Sequence, residues 1–356
     1  MNTMNARIDL SHASSMFGLE GELPHEQVLL YTDAASGLRT ILAVHSTARG
    51  PAFGGCRMLH YTNDQAALTD ALRLSQGMSL KNALADLPFG GGKAVILHPS
   101  GDFDRAALFR AFGQAVATLS GRYITAEDVG TTTSDMRVVQ QHTPFVSGIP
   151  RLGAFGGDPS PKTAYGVFVA IEEGVRYHLK KTLNGRTVAV QGLGAVGMSL
   201  CAYLHEAGVK LVVADVDGAR SSDAAHRFGA RVVSPDRILF ELADVLAPCA
   251  LGATLNVDTI PHIQAAIVAG AANNQLATPQ DGDDLHARGI LYLPDFLVNA
   301  GGIVSVAREY LGTGSEESVL QEVGHIRDRV TELLERAVGQ APARVAEAWA
   351  KEKLRA

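Results

Sequence analysis

The chain has 356 residues, 46% hydrophobic and 19% charged, with a formal net charge of −6, which suits about two soluble globular domains and excludes a basic nucleic-acid or anionic-membrane binder. Its three cysteines, Cys56, Cys201 and Cys249, fall in no zinc-ligand spacing, so no metal site is expected and a reducing compartment is. The opening MNTMNARIDLSHASSM has neither a basic start nor an apolar run of signal length, and no segment approaches the roughly 20 apolar residues of a membrane helix, so a cytoplasmic protein is expected.

In chain order, HEQVLLYTDAASGLRTILAVHS predicts two strands about a turn at Ser36-Gly37. NDQAALTDALRLSQGMSLKNALAD spaces Leu68, Ala71, Leu72 and Ser75 on one helix face, with Asn63 as N-cap. KAVILHP reads as a short buried strand. DRAALFRAFGQAVATLSG reads as a helix burying Leu108, Ala111, Phe112, Ala115 and Leu119, with Gly121 past its end. RYITAED reads as another strand. The Gly-, Pro- and Ser-rich run at 147–162 marks a boundary, and Pro161 opens a helix. Beyond Asn184-Gly185, the strands TVAVQG, KLVVADV, RVV, DVLAP, AAIVAG and GILYLPD alternate with helical or loop crossings, which predicts a parallel sheet. Residues 296–356 read as three helices. The fold class is α/β.

The stretch TVAVQGLGAVGMSLCAYLHEAGVKLVVADVD carries the loop Gly192, Leu193, Gly194, Ala195, Val196, Gly197. An apolar strand precedes it, a helix follows, and a second strand ends at Asp215, which is the full context of a dinucleotide fingerprint. Gly192 is expected to make the tight turn, Gly194 to admit the pyrophosphate, and Gly197 to let helix and strand pack. The helix N-terminus would hold the anion. Asp215 would bond the adenosine ribose hydroxyls and repel a 2′-phosphate, so NAD is expected over NADP, with Arg220 nearby as a mild counterweight.

SLKNALADLPFGGGKAVIL holds Lys81 and Lys93, the second directly after Gly90-Gly91-Gly92. A phosphate loop is excluded, because Leu87 stands where its first glycine belongs and Ala94 follows the lysine. Lys93 opens the apolar run AVIL, and the glycines are expected to leave room for a ligand against the backbone. Two cations facing one pocket disfavour each other's charge, so one suits an anchor for a substrate carboxylate and the other a general base.

GPAFGGCRM, GMSLKNALADLPFGGGKAVI, YITAEDVGTT, VAVQGLGAVG, APCALGATLN, VAGAANNQL and PDFLVNAGGIVSVA resemble, in this order, the Glu/Leu/Phe/Val amino-acid dehydrogenases, from about residue 40 to about residue 310. The resemblance implies reversible NAD-dependent oxidative deamination of an L-amino acid to a 2-oxo acid and ammonia. It implies an N-terminal α/β substrate domain over 1–147 and a C-terminal Rossmann domain over 148–328, with a cleft between them. It further implies that helices at about 329–356 pack back on the first domain, and that the chain forms a homo-oligomer through that domain. Carried over by position, Lys81 would bind the substrate α-carboxylate and Lys93 would activate water. Asp128 would move a proton to and from the amino nitrogen. Asn299 would orient the substrate, Gly55 would line the pocket through its backbone, and Asn273 would lie near the nicotinamide ribose. Asp135 reads instead as a helix-face residue.

For the substrate side chain, Ala126, Ile303 and Val306 offer apolar surface and resemble the leucine and valine members. Phe53 is expected to shorten the pocket. Leucine, isoleucine or valine is therefore the expected substrate, with phenylalanine or tryptophan as the alternative, since GGCRM and VAREYLG resemble phenylalanine members. A non-catalytic NAD-binding paralogue is more remote, because Lys93 and Asp128 are both present.

Overall fold

The computed structural model describes residues 24–149, 155–250 and 252–355; the N-terminal stretch read above and residues 150–154 of the expected boundary lie outside them. Two compact units divide the chain. One is the described part of Met1–Ser79 with Phe89–Val146; the other is Leu80–Pro88 with the described residues from Ser147 onward.

The first unit runs β1 (Gln27–Asp33), β2 (Leu38–Ser46), β3 (Ala52–Phe53), β4 (Cys56–Leu59), α1 (Asp64–Leu84) up to Ser79, β5 (Gly90–Leu97), α2 (Arg105–Thr118), β6 (Tyr123–Ile124) and α3 (Thr133–Gln140); the end of α1 from Leu80 is counted with the second unit. β1 and β2 form the expected antiparallel hairpin, turned at Gly37 with φ +74° while Asp33 accepts the Ser36 amide at 2.9 Å. β2 pairs antiparallel with β5. On its other side β5 pairs in parallel with both β3 and β4, a single strand line interrupted at Gly54-Gly55. Asn63 caps α1 by accepting the Ala66 amide at 2.8 Å, and Asp104 caps α2.

Two expectations change here. The strand expected from Lys93 begins at Gly90, so all three glycines lie inside β5. RYITAED is regular only at Tyr123-Ile124; beyond it, single bridges at Thr125 and Glu127 replace a ladder as the backbone turns toward Asp128.

The second unit begins with α4 (Ser160–Gly174), opened by Pro161 and closed by a π turn at Val175–Leu179. Then come β7 (Thr187–Gln191), α5 (Ala195–Glu206), β8 (Lys210–Ala214), α6 (Gly218–Phe228), β9 (Arg231–Val232), β10 (Val245–Pro248), β11 (Ile267–Val268), α7 (Pro279–Ala287) and β12 (Leu291–Tyr292). All pairings are parallel, in the order β12-β11-β10-β7-β8-β9. Read from β9, that is the doubly wound order 3-2-1-4-5-6, with the strand order reversing at β7.

The C-terminal stretch holds more than three helices. They are α8 (Asp295–Val298), α9 (Gly301–Leu311), α10 (Glu316–Gly324), α11 (Ile326–Arg336) and α12 (Pro342–Arg355). Gly312 at φ +66° ends α9, a Ser315–Ser318 capping box restarts the chain, and a kink at His325 divides α10 from α11. The last two helices pack on α4 and α7. Arg344 pairs with Asp283 of α7 at 2.8 Å, and Arg329 and Lys353 bond Ala85 and Asp86 in the 80–88 piece of this same unit.

Candidate active site

The glycine run before Lys93 is a packing device. A Cβ on Gly90 would overlap the Ser46 carbonyl, and one on Gly91 would overlap the backbone of Ser79 in α1. On Gly92 it would stand 2.7 Å from Cδ2 of the buried Tyr123 ring. Neighbouring protein atoms, not ligand room, thus occupy the space beside these glycines, which corrects the expectation. The packing drives β5 into the core and carries Lys93 with it, leaving its side chain 7% exposed.

A buried ammonium needs a partner. Lys93 Nζ donates to Asp128 Oδ2. Asp128 stands where β6 gives way to a turn, its own amide donating to Thr131 Oγ1 at 2.9 Å and its Oδ1 accepting from the Val129 amide at 2.8 Å. Arg57 of β4 brings Nε to 3.6 Å from the same Oδ2. Burial pushes the Asp128 carboxyl up, but Lys93 and Arg57 outweigh it and hold it down at about 2. Behind Arg57 stands Asp70 at 3.2 Å, which also accepts from Tyr61 Oη at 2.6 Å. Reading the sequence missed Arg57, Asp70 and Tyr61, because only the pairing of β4 with β5 and the packing of α1 bring them together. Asp135, by contrast, is the N3 carboxylate of the α3 capping box and is gripped by Arg105 at 2.7 Å, a structural role.

In the second unit Lys81 Nζ donates to Asn273 Oδ1 at 3.1 Å, and Asn299 Nδ2 donates to the same oxygen at 3.0 Å. Asn299 is buried, and its Oδ1 accepts from no described residue. The turn bearing Asn273 is strained: Asn274 has φ +51° and its amide donates to Asp295 Oδ2 at 2.6 Å. Burial raises the Asp295 carboxyl, with Lys81 and that amide opposing. Asp295 opens α8 and was not singled out beforehand.

At the end of β7, Gly192 turns with φ +91° and a Cβ on Gly197 would overlap the Gly192 carbonyl. Around Gly194 a Cβ would meet nothing within 4 Å, and as N-cap of α5 it supplies no side-chain cap. The loop therefore leaves open space at a helix N-terminus with uncapped amides, which suits an anion. Asp215, past the end of β8, accepts the Leu193 amide at 2.6 Å and the Asp217 amide at 2.8 Å. Each carboxylate oxygen keeps a second lone pair. Leu193 is buried, Ala195 and Val196 are more accessible, and burial pushes the nearby Cys249 thiol up to about 11.

Of the expected side-chain pocket, Ala126 keeps 7% exposure and Val306 9%, and Ile303 and Gly55 are half-buried. Ile303 and Val306 share one face of α9. Phe53 is 0% exposed and packs its ring on Phe89 at 4.9 Å between centroids. Set within β3, it belongs to the core of the first unit and not to a pocket wall. Among the described residues no His/Cys/Asp/Glu group could hold a metal, and no helix is long and apolar enough to cross a membrane.

A family model described as Glu/Leu/Phe/Val dehydrogenase, dimerisation domain, matches residues 25–145. A second, described as Glutamate/Leucine/Phenylalanine/Valine dehydrogenase, matches 158–220 and 220–353. Leucine dehydrogenase of Bacillus subtilis is 46% identical over 312 residues, which cover 87% of this chain and 85% of that one. L-tryptophan dehydrogenase of Nostoc punctiforme is 45% identical over 328 residues, covering 91% of each. A crystal structure of L-tryptophan dehydrogenase from Nostoc punctiforme superposes with a TM-score of 0.79 at 42% identity, covering 94% of this chain and 97% of that one.

Proposed function

The chain belongs to the Glu/Leu/Phe/Val amino-acid dehydrogenase family, and on that premise we propose that it catalyses the reversible NAD-dependent oxidative deamination of an apolar L-amino acid. The observation that carries this reading is the buried Lys93–Asp128 pair. Lys93, having released its proton to solvent, takes one from the water that attacks the oxidised substrate carbon. Asp128, held as a carboxylate, starts as a proton acceptor and returns the proton to the departing nitrogen. Lys81 anchors the substrate α-carboxylate through charge-assisted hydrogen bonds. Asn299 offers its unpartnered Oδ1 to the substrate ammonium, Gly55 contributes backbone to the pocket wall, and Asn273 lies by the nicotinamide ribose.

The open N-terminus of α5, the Gly192 turn and the Asp215 carboxylate are compatible with NAD, and a carboxylate at that place disfavours a 2′-phosphate. When bound, the nicotinamide supplies the hydride acceptor. The name of the N-terminal family model supports a homo-oligomer joined through the first unit. A cytoplasmic setting fits the three unpaired cysteines.

Ala126, Ile303 and Val306 give no cation for a side-chain carboxylate, so leucine, isoleucine and valine are favoured. A second reading, tryptophan or phenylalanine, is favoured by the core position of Phe53, which removes the expected shortening, and by the likeness to the Nostoc enzyme. One hydrophobic group in such a pocket is worth about 1–3 kcal/mol, so partial overlap is expected. The test is NADH absorbance with each proteinogenic L-amino acid, for the wild type and for Lys93→Ala. Highest kcat/KM on branched aliphatic substrates is expected, with the chemical step lost and NAD binding kept in the variant. No amino-acid-dependent reduction of NAD refutes the reading, and highest turnover of an aromatic substrate selects the second.

A further inference from the structure

Arg57 sits on β4 with its side chain only 15% exposed. Its Nη1 reaches Asp70 Oδ2 at 3.2 Å, and Tyr61 Oη donates to that same oxygen at 2.6 Å. Its Nε is buried and donates a hydrogen bond to no described residue. That nitrogen stands 3.6 Å from Asp128 Oδ2, the oxygen that Lys93 contacts, and so just outside bonding range. Buried donors are rarely left unmade, and an unmet one calls for a reason.

The other groups facing Asp128 are Lys93 on β5, the Cys56 thiol on β4, the Tyr123 phenol on β6 and, beyond Arg57, the Tyr61 phenol. Burial raises the thiol and both phenols, so they stay neutral. Among the described residues, Lys93 and Arg57 are therefore the two cations at Asp128. Only one of them is permanent, since a guanidinium does not deprotonate in a protein.

We propose that Arg57 is a positioning residue for Asp128: gripped from behind by Asp70, which Tyr61 holds in turn, it keeps the Asp128 carboxylate in place while Lys93 is without its proton. The inference rests on the amino-acid dehydrogenase reading above. When Lys93 passes its proton on, the ammonium that faces Asp128 Oδ2 is gone, and a shift of a few tenths of an ångström lets Arg57 Nε make its missing hydrogen bond there. The carboxylate then neither swings away nor loses its fixed counter-charge.

The experiment compares wild type, Arg57→Gln and Arg57→Lys in amino-acid-dependent NAD reduction across pH, alongside thermal melts. Arg57→Gln is expected to lower kcat about 10²-fold, the worth of a positioned proton-transfer group. KM for the amino acid and for NAD should stay within about 3-fold, and the acid limb of kcat/KM should move to higher pH. Arg57→Lys restores the charge and is expected to recover most of the limb position and part of kcat. A folded Arg57→Gln whose kcat and pH profile superimpose on wild type overturns the proposal, even if its Tm falls. Where Arg57→Gln does not fold, the double variant Arg57→Gln with Asp70→Asn removes the buried opposite charges together. It is expected to show the same loss of kcat, and wild-type kcat in it overturns the proposal. If the wild type itself reduces no NAD with any amino acid, the functional reading fails first, and visibly so.

Discussion

Gly92→Ala separates two accounts of the glycine run. A Cβ there would lie 2.7 Å from Tyr123 Cδ2 and 3.1 Å from both Tyr123 Cε2 and Ala52 Cβ, against 3.4 Å for ordinary contact. The ring must move by about the 0.7 Å shortfall, in a fully buried site where overpacking costs roughly 1–3 kcal/mol. Tyr123 Oη donates to the Gly54 carbonyl at 2.7 Å, and straining that bond adds about 0.5–1.5 kcal/mol. A total near 3 kcal/mol should lower Tm by several degrees. The adjacent Lys93 and the Gly54-Gly55 segment shift by a fraction of the ring's displacement. Since about 1 Å of misplacement can cost 10²-fold, kcat should fall roughly tenfold with cofactor affinity kept. Thermal melts, initial rates and NAD titration of the same preparation read all three quantities. Wild-type Tm and kcat with a raised KM for the amino acid would show that the glycines make room for substrate, and would refute the packing account.

Lys81→Ala should raise KM for the amino acid roughly 10- to 150-fold, the worth of a charge-assisted bond of about 1.5–3 kcal/mol; an unchanged KM removes it as carboxylate anchor. Asp215→Ser should weaken NAD and narrow its lead over NADP, and equal kcat/KM for the two cofactors in the wild type would contradict the assignment. Asp128 has a folded pKa of about 2 against a usual 3.8, so its contribution is complete above about pH 4 and lost as pH falls toward 2. Over that window denaturant stability of the wild type should drop by roughly 2 kcal/mol more than that of Asp128→Asn, and parallel curves would exclude the effect.

The second unit was legible almost strand by strand. Its strands are continuous apolar runs set off by glycines, and Gly192, Gly197 and Asp215 have distances fixed by local geometry. The first unit was less so. A strand that begins Gly-Gly-Gly contradicts β propensity and is tolerated only because neighbouring backbone needs the space. The division at His325 follows Gly324, a weak helix former, but a single glycine inside an apolar helical pattern is not decisive. Lys93 and Asp128 could be paired through their motifs, but Arg57, Asp70 and Tyr61 meet Asp128 through strand pairing and helix packing that no local signal carries. Phe53 misled because a large ring beside two glycines suggests a pocket wall, whereas β3 is buried at both of its residues and sets the ring in the core.

Residues 80–88 belong to the second unit although they lie inside the sequence of the first. Their partners Arg329 and Lys353 follow 244 and 267 residues later. On the ribosome this segment emerges early, and its bonds from Arg329 and Lys353 wait until the terminal helices arrive. Synthesis therefore includes a long interval in which this segment, with its apolar Leu80, Leu84 and Leu87, lacks those partners, a circumstance that favours chaperone contact. Protease cleavage at 80–88 in nascent chains lacking the last two helices, and its absence from the finished protein, would register that interval. Appending a tag or truncating at the C-terminus thus disturbs the completion of a surface that was translated first.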